Sequence, residues 1–259
     1  MSSDVLTKKN SDYSSFESSL FISREMRRFF GFLLCVAFFP VITHFFFFAI
    51  SIDAGFQYVV NNIYHLPQNS SSFYANPLLI YTHIYGNGVA LLTGLGQYVI
   101  ADLSHSSLRP AHPSFSPFKR CTHIFFGSIY LSSLSLGTVA SILFAFKQPY
   151  GTDGGISAQI SFVAMGLASL VPAWMAFIAY LLGFPSLHRQ LMQRSLVSLF
   201  SSFVVFRFLA RFLLPSLIPS DSPDSSYPLW VGIIWMSWSV PLLLFECLRP
   251  FFSIKEKVE

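Results

Sequence analysis

Long apolar segments alternate with short polar ones along the chain. A helix that crosses a bilayer needs about 20 mostly apolar residues at about 1.5 Å each. We predict transmembrane helices over residues 29–51, 78–101, 121–146, 157–182, 195–216 and 228–249. The connections are rich in the proline, glycine, serine and asparagine that turns favour. The pattern therefore predicts an all-α fold, a polytopic membrane bundle of six transmembrane helices over residues 29–249.

The two ends of the chain are polar. Residues 1–28 are serine-rich and end in three arginines, and residues 250–259 contain two lysines. The first apolar segment begins too late and is too long for a cleaved signal peptide, so we interpret it as a retained membrane anchor. We therefore predict an N-terminal tail over residues 1–28 and a C-terminal tail over residues 250–259.

Composition supports the membrane interpretation. Hydrophobic residues make up 53% of the chain and charged residues 11%, against about 25% charged in soluble domains. A soluble domain is thereby excluded, and the lipid bilayer is the expected surrounding. The formal net charge of +4 does not indicate a nucleic-acid partner, because the basic residues form no single patch or helical stripe.

Lysine and arginine positions predict the orientation. Five lie in the N-terminal tail, three in the second–third connection, two in the fourth–fifth connection and three at the C-terminal end, whereas the other three connections contain only Lys147. Since basic residues concentrate in cytosolic loops, both termini are predicted to be cytosolic. Asn69 then falls in an outer loop, where its Asn-Ser-Ser sequence is a candidate glycosylation site.

Polar and small residues on the predicted second helix share one face. Spacings of four, three, four and three residues place them within an arc of about 80°. They are His83, Asn87, Ala90, Gly94 and Gln97. The face is polar at its ends and small in its middle. It is typical either of a tightly packed helix seam or of a ligand cavity, and both interpretations stay open.

Arginine is costly inside a membrane, by roughly 2.5–3.5 kcal/mol on insertion scales. Arg207 lies about 20 Å along the predicted fifth helix, at a depth similar to that of His83. We therefore expect His83, Asn87 and Arg207 to form one outer-half polar site, with Gln97 as a further ligand-binding candidate. A second, inner-side polar cluster is expected. Its members are His123, His188, Arg189 and Glu246, and for Glu246 both ion pairing and catalysis are considered.

Several motifs resemble a family of predicted multi-pass membrane proteins of bacteria and fungi that is defined only as a domain of unknown function. The segment HIYGNGVALLTGLGQ is similar to one of its helices through His83, Gly88, Ala90, Leu91, Gly94 and Gln97. Further matches are His123, Gly127, Tyr130, His188, Arg189, Met192, Arg194, Arg207, Trp238 and Glu246. Ile124 and Leu191 depart from the family, which usually has arginine and tryptophan there. The resemblance implies the membrane fold and these site residues, but no reaction.

Three functions fit the sequence. The first is a transporter or receptor that binds a small molecule in the outer-half polar pocket. The second is a redox bundle that holds b-type haem between His44 and His83. The third is a structural or accessory membrane protein whose polar residues only join helices. No common motif of soluble enzymes is present, so no catalytic residue is assigned.

Overall fold

The structure, a computed structural model, describes residues 24–51, 54, 76–103, 117–147, 155–209, 213 and 226–254. Within these residues it contains helices and no strands, which confirms the all-α prediction. The helices are α1 Arg24–Ile50, α2 Pro77–Leu103, α3 Pro117–Lys147, α4 Gly155–Leu181, α5 Pro185–Phe200 and α6 Ser226–Ile254. After α5 the chain continues through π-helical Ser201–Val205 to the α-helical turn Phe206–Phe208.

A three-residue connection joins α4 to α5. Gly183 adopts a positive φ of 77°, which glycine tolerates because it has no Cβ. Its N–H donates to the Tyr180 carbonyl and the Phe184 N–H donates to the Ala179 carbonyl, the two bonds of a Schellman motif. Pro185 then begins α5, at a position where the absent N–H costs no helical bond. The fifth helix thus begins ten residues before the predicted start at 195, because this connection needs only residues 182–184.

Four helices form a closed ring. In order around it, α2 packs on α3, α3 on α4, α4 on α5, and α5 on α2. α1 covers α2 from outside, where Phe30 stacks on Tyr98 at 4.4 Å between ring centroids. α6 covers α4 and α5. The interior of the ring is filled by fully buried leucines such as Leu91, Leu134 and Leu196.

α2 and α3 approach each other backbone to backbone. A Cβ added to Gly86 would lie 2.8 Å from the Gly137 Cα. A Cβ added to Gly94 would lie 2.4 Å from Leu196 Cδ2 of α5, and Ala90 between them is fully buried. The small middle of the predicted α2 face is therefore a helix-packing seam, as small residues permit.

The described residues include four helical segments long and apolar enough to cross a membrane. They are Pro77–Tyr98, Cys121–Lys147, Ile156–Leu181 and Val231–Pro250. Exposed apolar side chains line the outer faces, among them Leu167, Val171, Trp174 and Ile178 of α4. Such surfaces fit lipid and not water. The apolar stretch of α1, Arg28–Thr43, is shorter, and α5 begins with a polar segment, so the first and fifth spans stay predictions.

Candidate functional site

His83 and Asn87 are hydrogen-bonded to each other on α2. The distance between Asn87 Nδ2 and His83 Nδ1 is 3.0 Å. The Gly137 backbone of α3 lies near the same imidazole. An amide nitrogen can only donate, so Nδ1 accepts from Asn87 and the proton of the neutral ring lies on Nε2.

The side-chain oxygen of Asn87 has no hydrogen-bond partner among the residues that the structure describes, although Asn87 is only 6% exposed. It lies against Gly137, where a Cβ would be 2.8 Å from this oxygen. An unsatisfied buried acceptor costs about 1–3 kcal/mol. The Asn87 oxygen therefore marks a position where a donor from water or a ligand would be stabilising.

Arg207 lies at the level of His83. Eleven residues separate His83 from Gly94 on α2, and eleven separate Leu196 from Arg207 along the fifth helix. Since Gly94 meets Leu196 and the helices run antiparallel, His83 and Arg207 come to the same depth. The positive charge of Arg207 accordingly acts on the His83 ring. The structure thus places Arg207 at the level of the hydrogen-bonded His83–Asn87 pair.

A π-helical segment positions the Arg207 guanidinium. The Phe206 N–H donates to the Ser201 carbonyl, five residues back, instead of to Ser202. Arg207 Nη1 donates to the Ser202 carbonyl at 3.3 Å and to the Phe203 carbonyl at 2.6 Å, and the guanidinium carbon lies 4.1 Å from the centre of the Phe203 ring. In an α-helix the Ser202 carbonyl would accept from the Phe206 N–H. The π-helical hydrogen-bond pattern leaves this carbonyl available, and the Arg207 guanidinium donates to it.

A buried hydrogen-bonded chain joins three helices of the ring deeper in the bundle. Ser195 Oγ donates to the Ser169 carbonyl at 2.7 Å, so the Tyr130 hydroxyl donates to Ser195 Oγ at 2.5 Å. The chain connects α3, α5 and α4. Tyr130 was among the residues that the sequence motifs indicated, whereas Ser169 and Ser195 were not, because most serines in such helices bond to their own backbone and carry no distinguishing pattern.

Gln97 lies apart from the outer group. It is 14 residues from His83, about 21 Å along the helix, and its Nε2 donates to the His123 carbonyl at 3.1 Å. Gln97 is partly exposed, and its depth along α2 separates it from Arg207. Gln97 therefore connects α2 to α3 at the other end of the bundle.

The predicted inner-side cluster is divided in two. The His123 and His188 rings meet at 6.0 Å between centroids, and His188 Nδ1 bonds to the Ala176 carbonyl at 2.8 Å. Glu246 is instead ion-paired with Arg194 and Arg249, so the structure shows the pairing interpretation of this carboxylate. The Arg189 carbonyl accepts from the Tyr98 hydroxyl at 3.5 Å.

The haem hypothesis depends on the second ring nitrogen of His83. An axial ligand needs a ring nitrogen directed at the iron, and Nδ1 of His83 already accepts from Asn87. The His44 side chain and the whole of Asn69 lie outside the described residues. Among the described residues, no group of three or more His, Cys, Asp or Glu side chains could hold a metal ion.

Comparisons with protein-family models, with curated proteins and with solved structures found no match. The resemblance to the bacterial and fungal family therefore stays a proposal.

Proposed function

We propose that this helical membrane bundle binds a small anion at the His83–Asn87–Arg207 group, as a transporter or receptor. The observation that carries the proposal is the buried Asn87 oxygen, which has no hydrogen-bond partner within the described part of the chain. It belongs to a side chain bonded to His83, and His83 lies within the field of Arg207. A polar group without a partner at the level of a cation supports a site for an added molecule.

The chemistry of the group narrows the ligand class. The guanidinium favours a negative charge, and it does so more strongly where water is scarce. The Asn87 oxygen accepts only, so it requires a hydrogen-bond donor. A small carboxylate with a neighbouring hydroxyl or amino group offers both.

Thermal unfolding in a neutral detergent tests this proposal with three matched probes. Lactate has a carboxylate and a hydroxyl, propionate has only the carboxylate, and propane-1,2-diol has only the hydroxyls. A ligand that binds the folded state raises its stability by mass action. We expect lactate to raise the unfolding temperature more than either partial probe does. The proposal is overturned if none of the three changes the unfolding temperature.

A purely structural role for the same residues is the alternative function. It is favoured by the hydrogen bond between His83 and Asn87 and by the bonds of Arg207 to its own helix. In that case the Asn87 oxygen is tolerated because the close approach of Gly137 leaves no room for a donor. The structural alternative predicts that replacement of Arg207 lowers stability and that lactate has no effect on the wild type.

A further inference from the structure

Two arginines share one carboxylate between α5 and α6. Arg194 Nε and Nη2 donate to the two oxygens of Glu246 at 2.5 and 3.0 Å. Arg249 Nη1 donates to Glu246 Oε2 at 3.4 Å. The pairing is bidentate for Arg194, which fixes the plane of its guanidinium.

This group keeps a positive charge and unused donors. Two guanidiniums and one carboxylate leave a net charge of one positive. Each arginine has five N–H groups, and only three of the ten are bonded to Glu246. The Arg194, Arg249 and Glu246 side chains are 35%, 26% and 32% exposed, so a ligand can reach them.

The position of the group fits the headgroup region of a bilayer. The apolar span of α6 ends at Pro250, next to Arg249. On α5, Arg194 is followed by a buried, mostly apolar stretch, while the turns before it contain His188, Arg189, Gln190 and Gln193. Towards the middle of the membrane, α6 exposes Leu243 and Leu244, and Leu248 is exposed beside Arg249. A cationic group therefore adjoins an apolar surface that acyl chains would cover.

We propose that Arg194 and Arg249, held by Glu246, bind the phosphate of an anionic phospholipid whose acyl chains lie along the exposed leucines of α6. Guanidinium groups suit phosphate because their N–H groups form a planar fork. Glu246 keeps two like charges side by side without neutralising both. With the predicted orientation, this site faces the cytosolic leaflet, where anionic lipids concentrate and attract basic residues. The inference is independent of the His83 site.

Lipid titration of the purified full chain in neutral detergent tests the proposal. Dioctanoyl phosphatidylglycerol is compared with dioctanoyl phosphatidylcholine, which has the same phosphate but adds a choline cation, and bound lipid is counted by native mass spectrometry. We expect phosphatidylglycerol to bind more tightly. Arg249→Gln should weaken that binding about tenfold, an effect of the size expected for one charge-assisted hydrogen bond.

Arg28→Gln is the matched control. Arg28 is an exposed arginine of α1 on the same predicted side of the membrane, and its replacement makes the same change in net charge. We expect phosphatidylglycerol binding within about twofold of wild type, because this arginine lies outside the group. Arg249→Lys serves as a second variant if Arg249→Gln does not fold. Lysine keeps the positive charge but lacks the planar pair of N–H donors of a guanidinium. The affinity of this variant for phosphatidylglycerol should therefore fall about threefold.

Three outcomes overturn the proposal. Equal binding of the two lipids removes the preference for an anionic headgroup. An equal loss in Arg28→Gln and Arg249→Gln shows that general surface charge, and not this site, attracts the lipid. Displacement of phosphatidylglycerol by inorganic phosphate at an equal concentration shows a site for free anions to which the leucine surface adds nothing.

Discussion

Asn87 and Gly137 lie in direct contact across the α2–α3 crossing, where a Cβ on Gly137 would be 2.6 Å from the Asn87 backbone nitrogen. Backbone atoms of a packed helix cannot move aside as a flexible side chain can. Any side chain at position 137 therefore separates α2 from α3 and displaces the amide that bonds to His83.

We predict that Gly137→Ala destabilises the protein by about 1–3 kcal/mol, the usual cost of overpacking. Thermal unfolding in detergent measures the change. Gly96→Ala is the matched control, because a Cβ there meets no atom within 4 Å. Its stability should stay at or slightly above that of wild type, since alanine favours helix over glycine. Equal effects of the two variants would contradict the close crossing.

Removal of one partner from the buried Tyr130–Ser195 pair should be costly. In Ser195→Ala, the Tyr130 hydroxyl loses its acceptor, and we expect a loss of about 1–3 kcal/mol in stability. Adding Tyr130→Phe to this variant removes the stranded hydroxyl and should restore part of the loss. The control is Ser132→Ala, because Ser132 is exposed and bonds to its own helix. A double variant less stable than Ser195→Ala would contradict this reading.

Replacement of Arg207 separates the functional from the structural interpretation of the outer group. We predict that Arg207→Gln folds with an unfolding temperature close to that of wild type but loses the stabilisation by lactate, because its side chain has no charge. Arg249→Gln is the control, since Arg249 lies in the ion pair with Glu246, and it should respond to lactate as wild type does. A lactate response that survives in Arg207→Gln would remove this arginine from the site.

The predicted topology gives a separate test. Reporter fusions at both termini should read as cytosolic, because basic residues cluster in the tails and alternate connections. In a eukaryotic host, glycosidase treatment should increase the gel mobility of wild type and leave Asn69→Gln unchanged. A lumenal terminus would show that the number of spans or their direction is wrong.

The sequence predicted the shared face of α2, with a packing seam and a ligand cavity both open, but not the local geometry of its polar groups. Spacing on α2 identified the face with Ala90 and Gly94, because helical periodicity alone determines which residues share a side. Helical periodicity does not report how deep in the membrane each residue lies. It therefore grouped Gln97 with His83, although about 21 Å of helix separates them.

Two other features depend on tertiary or local backbone geometry that hydropathy does not report. The π segment Ser201–Val205 has the same apolar character as an α-helical segment, and only the bond from Phe206 to Ser201 reveals its register. The start of α5 was missed because residues 185–194 contain too many polar side chains to be counted in an apolar span, whereas Gly183 and Pro185 form a tight helix end and a helix beginning.

The short connection between α4 and α5 has a consequence for how the chain enters the bilayer. α5 begins with polar residues and is poorly suited to insert alone, whereas α4 is apolar throughout its span. With only residues 182–184 between them, the two helices can leave the translocation channel as one helical hairpin. We expect the α5 segment fused alone behind a soluble reporter to stay out of the membrane, and the α4–α5 pair to insert. The insertion of α5 into the membrane would then depend on the apolar α4 that precedes it.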